Sequence, residues 1–240
     1  HKDMEEEFTL KYIGRGMLSA SELNITQAQK EIAVYGERVA RMLKMARDIV
    51  HLPEKDSAYT ETYNRLEKYE EISDRMDIEI GTYLNHVAEG RLSPEGKMRV
   101  AGMLRVISEI ESIADGCFNV AKTVARQHQN HVRFTPAVLE EIDNMFTLVQ
   151  EGMDNMLAIL REIETPEDSL IIKAYNKERE INNLRNNLRD SNIYNINNKE
   201  SGYQEGIFFM DLISEAEKLG DYMLNVVEGV KHQFHPVTDA

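Results

Sequence analysis

The chain has 240 residues, 42% hydrophobic and 29% charged, and its 42 acidic residues against 28 Lys and Arg give a formal charge of −14. That material suffices for one large domain or two of about 120 residues, whereas the acidity and the lack of any Lys/Arg block argue against nucleic-acid binding. The longest apolar run, 156–160, is far short of the roughly 18 residues of a membrane span, no signal-peptide pattern opens the chain, and the lone Cys117 has no disulfide partner.

These residues therefore read as a soluble piece with no membrane insertion of its own, and a first residue of His1 rather than Met points to a longer parent or a tag remnant. Tryptophan is absent, glycine and proline are scarce, and no strand-like alternation persists, so helix is expected throughout. All five prolines fall where a helix would start or stop, because proline lacks a backbone donor and clashes within a helix interior. A first helix near 26–52 ends at Pro53. A second, 57–89, stops at Gly90. Ser93-Pro94 caps a third, 94–128, and Thr135-Pro136 repeats that start for a fourth, 136–164. Thr165-Pro166 separates a fifth, 167–190, after which the Asn-rich stretch from Ser191 to Gly202 reads as a loop. The sixth, 203–232, precedes His235-Pro236. Six long helices with short connections predict an all-α fold of up-and-down bundles.

In the sixth helix Phe209, Ile213, Ala216, Gly220, Met223, Val227 and Val230 alternate spacings of four and three and form one apolar stripe. Methionines such as Met42, Met45, Met98 and Met103 are expected as core filler, and Cys117 as a small core residue. His128 and His131 stand near a helix end, where they are expected to cap carbonyls or lie exposed.

Ile107 to Ala121 aligns with Ile213 to Val227, 106 residues later, with seven of fifteen positions identical, among them Glu109/Glu215, Glu111/Glu217, Asp115/Asp221 and Asn119/Asn225. A shared helical pattern alone recycles only apolar positions. Recurring polar ones indicate duplication of a three-helix unit, with boundaries at 26–130 and 131–240 after a connector at 1–25.

In each unit the third helix carries two acids one turn apart, Glu111 with Asp115 and Glu217 with Asp221, and the second helix has Glu70 with Asp74 and, in the equivalent place, Glu178 with Asn182. The spacing alone carries little, since about seven such pairs arise by chance in so acidic a chain. Recurrence at one place in the repeat carries more. Antiparallel packing would gather four carboxylates in the first unit, and two like charges about 4 Å apart repel by roughly 4 kcal/mol at an effective dielectric near 20. Such a cluster binds a cation, pairs with Lys or Arg, holds protons, or is only a solvated, salt-bridged surface. Oxygen ligands favour hard cations such as Mg, Mn, Ca or iron. Glu217 and Asp221 flank the apolar stripe, which places them at a helix seam. The Glu-x-x-His element of di-iron bundles is absent.

The segments Glu111-Ser-Ile-Ala-Asp115 and Glu217-Lys-Leu-Gly-Asp221, each followed by Asn119 or Asn225, resemble the Glu-Arg-Ile-Gly-Asp pattern of PhoU proteins, regulators of phosphate uptake, and Glu70/Asp74 resembles that family's other acidic motif. The resemblance implies two tandem three-helix bundles and a multinuclear iron or zinc cluster on the acidic pairs. Two departures stand out: Ser112 replaces the basic residue that Lys218 keeps, and Asn182 replaces an acid. Residues 8–31 are similar to the connector that follows the transmembrane part of bacterial sodium/phosphate cotransporter family proteins, which implies a cytoplasmic regulatory domain of an inner-membrane transporter, with the transmembrane part of its own parent, and another copy of itself, as partners. The alternatives are a free-standing PhoU-type regulator, a metal-dependent hydrolase with two ions activating water, and a purely structural bundle.

Overall fold

Capping side chains begin three of the six helices seen in the computed structural model, which describes residues 8–13, 21–162, 164–199 and 202–235. They are α1 Ser21–Ile49, α2 Ser57–Glu89, α3 Pro94–Gln129, α4 Pro136–Arg161, α5 Asp168–Asn197 and α6 Tyr203–His232. Ser93 accepts a hydrogen bond from the Gly96 amide at 3.0 Å and Thr135 one from Val138 at 3.4 Å, each with proline in the first turn. Asp56 caps α2 in the same way through the Ala58 amide, at 2.9 Å. Each satisfies one of the donors that a helix start leaves unpaired.

The fold is all-α, two three-helix halves in sequence, α1–α3 and α4–α6. Within each half the helices pack on one another, and the largest interface in the molecule joins α3 to α6, the equivalent helices of the two halves. Two glycines make that approach close: a Cβ on Gly102 of α3 would lie 2.8 Å from the Gly229 carbonyl oxygen of α6, and one on Gly229 would lie 2.8 Å from a Val106 methyl. Arg105 and Glu228 close the seam with a 3.2 Å ion pair, and Asn225 donates to Glu109 at 3.1 Å. The whole apolar stripe of α6 is buried, with Gly220 against Ile181 of α5 and Met223 against Gly152 of α4; Met42, Met45, Met103 and Cys117 are buried too, whereas Met98 is half-buried.

The structure corrects several boundaries. The Asn-rich run does not open a loop at Ser191, because α5 continues to Asn197. Asparagine's turn preference yields here to packing: Ile196 sits against Gly206, where a Cβ would meet it at 2.7 Å, and Asn192 donates to the Gly206 carbonyl at 3.2 Å. The turn comes at Asn198 and Lys199, the latter at φ 58°. Helix α4 stops at Arg161, three residues before Glu164, because Glu162 is extended and Gln29 of α1 binds its carbonyl at 2.6 Å. Helix α1 starts earlier and ends earlier than the periodicity suggests, and 50–52 form turns ahead of Pro53. Pro236 and residues 14–20 of the expected connector lie outside the described residues.

Residues 8–13 pack across the first half. Fully buried Glu31 of α1 accepts the Lys11 amide at 2.9 and 3.0 Å and the Tyr12 amide at 2.6 Å. The Phe8 ring lies 4.3 Å from the Arg75 guanidinium of α2.

Candidate functional site

The acidic faces of α2 and α3 meet in the first half. Glu111 is pushed up to about 7, first by burial and then by the charges of Asp74 and Asp115, with a hydrogen bond to Asp74 and the charge of Asp77 acting in the same sense. Burial, Asp74 and Asp115 raise Glu70, with Lys122 opposing them, and burial and Asp74 raise Asp77. Glu70, Asp74, Glu111 and Asp115 therefore share one electrostatic site, as their spacing predicts, and Asp77 joins them. The cluster lies on a buried hydroxyl pair: the Tyr35 hydroxyl meets Ser73 Oγ at 2.8 Å and donates to the Ser73 carbonyl at 3.0 Å. Burial and the acids above hold that phenol well above its ordinary range. Sequence spacing identifies neither Asp77 nor Tyr35.

The second half repeats the place but not the charge. Asp221 is pushed up to about 6 by burial, then by Glu217 and Glu178, and it shares a hydrogen bond with Glu217. Arg185 works against that rise and stands 3.9 Å from Glu217. Asn182 donates to Glu178 and leaves its own carbonyl oxygen buried without a partner, as is the Arg185 Nε. The spacing that relates Glu70 to Glu178 and Asp74 to Asn182 also relates Asp77 to Arg185. Two changes in one register thus turn five carboxylates into three carboxylates, an amide and a guanidinium. Glu217 and Asp221 are half-buried at the α5–α6 seam, as their offset from the apolar stripe predicts.

The donor chemistry of the first cluster suits a hard cation: five carboxylates with no thiol or imidazole, where burial first and then the neighbouring acids push Glu111 up to about 7. In the side-chain positions present, no group of three or more His, Cys, Asp or Glu among the described residues is placed to hold a metal ion.

The two histidines divide. His128 Nε2 lies 3.2 Å from the Leu52 carbonyl and its ring meets Tyr59 edge-on, so it joins the end of α3 to the α1–α2 loop and the start of α2 rather than capping its own helix. His131 is exposed, at φ 54°. Burial pushes the Cys117 thiol up, as an inert core residue requires.

Four likenesses to known families and proteins accompany this geometry. The profile of the PhoU domain family matches residues 32–124. The phosphate-specific transport system accessory protein PhoU homolog 2 of Thermotoga maritima is 25% identical over 161 residues, and the match spans 66% of this chain and 66% of that relative, just under two thirds of its length. The crystal structure of PhoU from Pseudomonas aeruginosa superposes with a TM-score of 0.77 at 12% identity, over 89% of this chain and 98% of that one. The phosphate transport system regulatory protein PhoU of Streptococcus pneumoniae gives 0.73 at 15%, over 89% and 96%. These two structures share the fold.

Proposed function

We propose that this chain, carrying a PhoU domain across residues 32–124, is a non-catalytic regulator of phosphate transport that works with a cation held on the acidic face of its first half. The observation that carries the regulatory reading is the PhoU domain match, in a chain whose relative is named an accessory protein of a phosphate-specific transport system. A free-standing PhoU-type regulator is the form these likenesses support best.

The cation belongs to the first half alone in this reading. In the first cluster Lys122 opposes the rise of Glu70 among five carboxylates, whereas Arg185 and Asn182 relieve a second cluster of three. A divalent ion would displace the proton of Glu111 and draw α2 and α3 together, and so couple ion binding to the shape of the surface offered to a transporter.

One observation favours a second reading, the cytoplasmic domain of a sodium/phosphate cotransporter family protein. Residues 8–13, similar in sequence to the connector of such proteins, are clamped onto α1 by buried Glu31, an arrangement suited to passing movement between an upstream segment and the bundle. Among the described residues no helix is long and apolar enough to cross a membrane. Exposed Ile193, Tyr194 and Tyr203 at the α5–α6 corner would serve contact with a transporter or a second copy.

The test is uptake of radiolabelled phosphate in source cells lacking the gene. Misregulated uptake restored by the wild-type chain, and not by a chain carrying Glu111→Ala and Asp115→Ala, is the expected result. Unchanged uptake on deletion overturns the phosphate reading, and full rescue by the variant overturns the cation part only.

A further inference from the structure

At one end of the molecule, about 20 Å along α3 from Asp115 at 1.5 Å per residue, the loop joining α1 to α2 faces the loop joining α3 to α4. Between them lies a cleft of about 750 Å³. In a chain of formal charge −14, its lining gathers Lys55, Arg133 and the imidazoles of His51, His128 and His131, against the single acid Glu54. Lys55 and Arg133 are exposed and form no ion pair among the described residues. Asp143, outside the lining, is bound to His51 Nε2 at 2.6 Å.

The cleft is built rather than incidental. His128, in the last turn of α3, ties that helix end to the α1–α2 loop through the Leu52 carbonyl. Gln127 holds the far wall twice, its backbone carbonyl accepting the Val132 amide at 3.2 Å and its side-chain amide donating to the Val132 carbonyl at 2.9 Å. Gln127 as a residue is 5% exposed, and its Oε1 is buried with no hydrogen-bond partner among the described residues. An unpaired buried acceptor carries a desolvation cost that a donor group on a ligand removes. Leu52, Phe134 and Leu139 supply apolar wall.

We infer that this cleft binds a phosphorylated small molecule of nucleotide size, with its phosphate between Lys55 and Arg133, its apolar body against Phe134, and a hydroxyl or amino donor available to Gln127. Free cations on two facing loops suit an oxyanion. The volume falls in the range of about 300–1,000 Å³ typical of small-molecule sites and is far larger than one phosphate ion needs. This site is separate from the acidic cluster and stands or falls independently of it.

Isothermal titration of the full chain with ADP, in EDTA and low salt, tests the inference against inorganic phosphate as the small-anion probe. One ADP per chain is expected, weakened about tenfold or more in K55A/R133A and unchanged in R91A/K97A, which loses the same two charges from exposed positions elsewhere. Phosphate should bind about tenfold or more weakly than ADP. No ADP binding overturns the proposal, as does equal weakening by the two double variants, which would mark nonspecific attraction. Phosphate binding as tightly as ADP overturns the assigned size.

Discussion

Replacing Glu111 by Gln removes the most perturbed carboxylate of the first cluster while keeping its shape, and the consequence for stability follows from linkage. The carboxyl sits at about 7 in the folded chain against 4.5 when unperturbed. A group raised on folding holds its proton more tightly in the native state, so it stabilises the protein below its unfolded value and loses that contribution as pH climbs through the folded value. The window is therefore pH 4.5 to 7. Taken whole, a shift of this size corresponds to about 3 kcal/mol. Glu111 is half-exposed, and solvent screening reduces this to about 1 kcal/mol. For a chain of this length 1 kcal/mol moves a melting temperature by roughly 2–4 °C. In EDTA, thermal unfolding followed by circular dichroism should show wild type losing stability from pH 5 to pH 8 more steeply than Glu111→Gln. The variant should match wild type at pH 5 and melt a few degrees higher at pH 8. Identical pH profiles would refute the reasoning.

Arg185→Met strips the second cluster of its counter-charge, and in EDTA at pH 8 should cost about 1–2 kcal/mol by urea denaturation, whereas the same change combined with Asn182→Gln, Glu217→Gln and Asp221→Asn should cost less. Gly102→Ala forces a methyl to within 2.8 Å of the Gly229 carbonyl, which α3 and α6 relieve only by separating. It should destabilise by about 1–3 kcal/mol in the same assay. Glu31→Ala removes the acceptor of the Lys11 and Tyr12 amides, a loss of about 2 kcal/mol from charge-assisted hydrogen bonds, and should expose residues 8–13 to limited proteolysis.

The helix starts at Pro94 and Pro136 and the buried face of α6 are legible in the sequence because local rules decide them: a capping hydroxyl, a first-turn proline, a stripe at helical period. The end of α5 is not, because contacts of Asn192 and Ile196 with Gly206 across a turn outweigh the composition of the run. The acidic pairs are legible as a site only through the internal repeat. Asp77 is hidden among 42 acids until the same repeat sets it against Arg185, and that comparison was available in the residues alone. The clamp on residues 8–13 and the basic cleft depend on segments distant in sequence. No local pattern relates Glu31 to Lys11, or Lys55 to Arg133, before the helices are placed.

The central claim is that a duplicated acidic site has kept its cation in one copy and built in a guanidinium in the other. Elemental analysis of protein purified without a metal-affinity step tests it most directly, comparing wild type with E111A/D115A and with E217A/D221A. The account predicts stoichiometric metal in wild type and in E217A/D221A, and its loss in E111A/D115A. Metal-free wild type, or metal lost only from E217A/D221A, would contradict it.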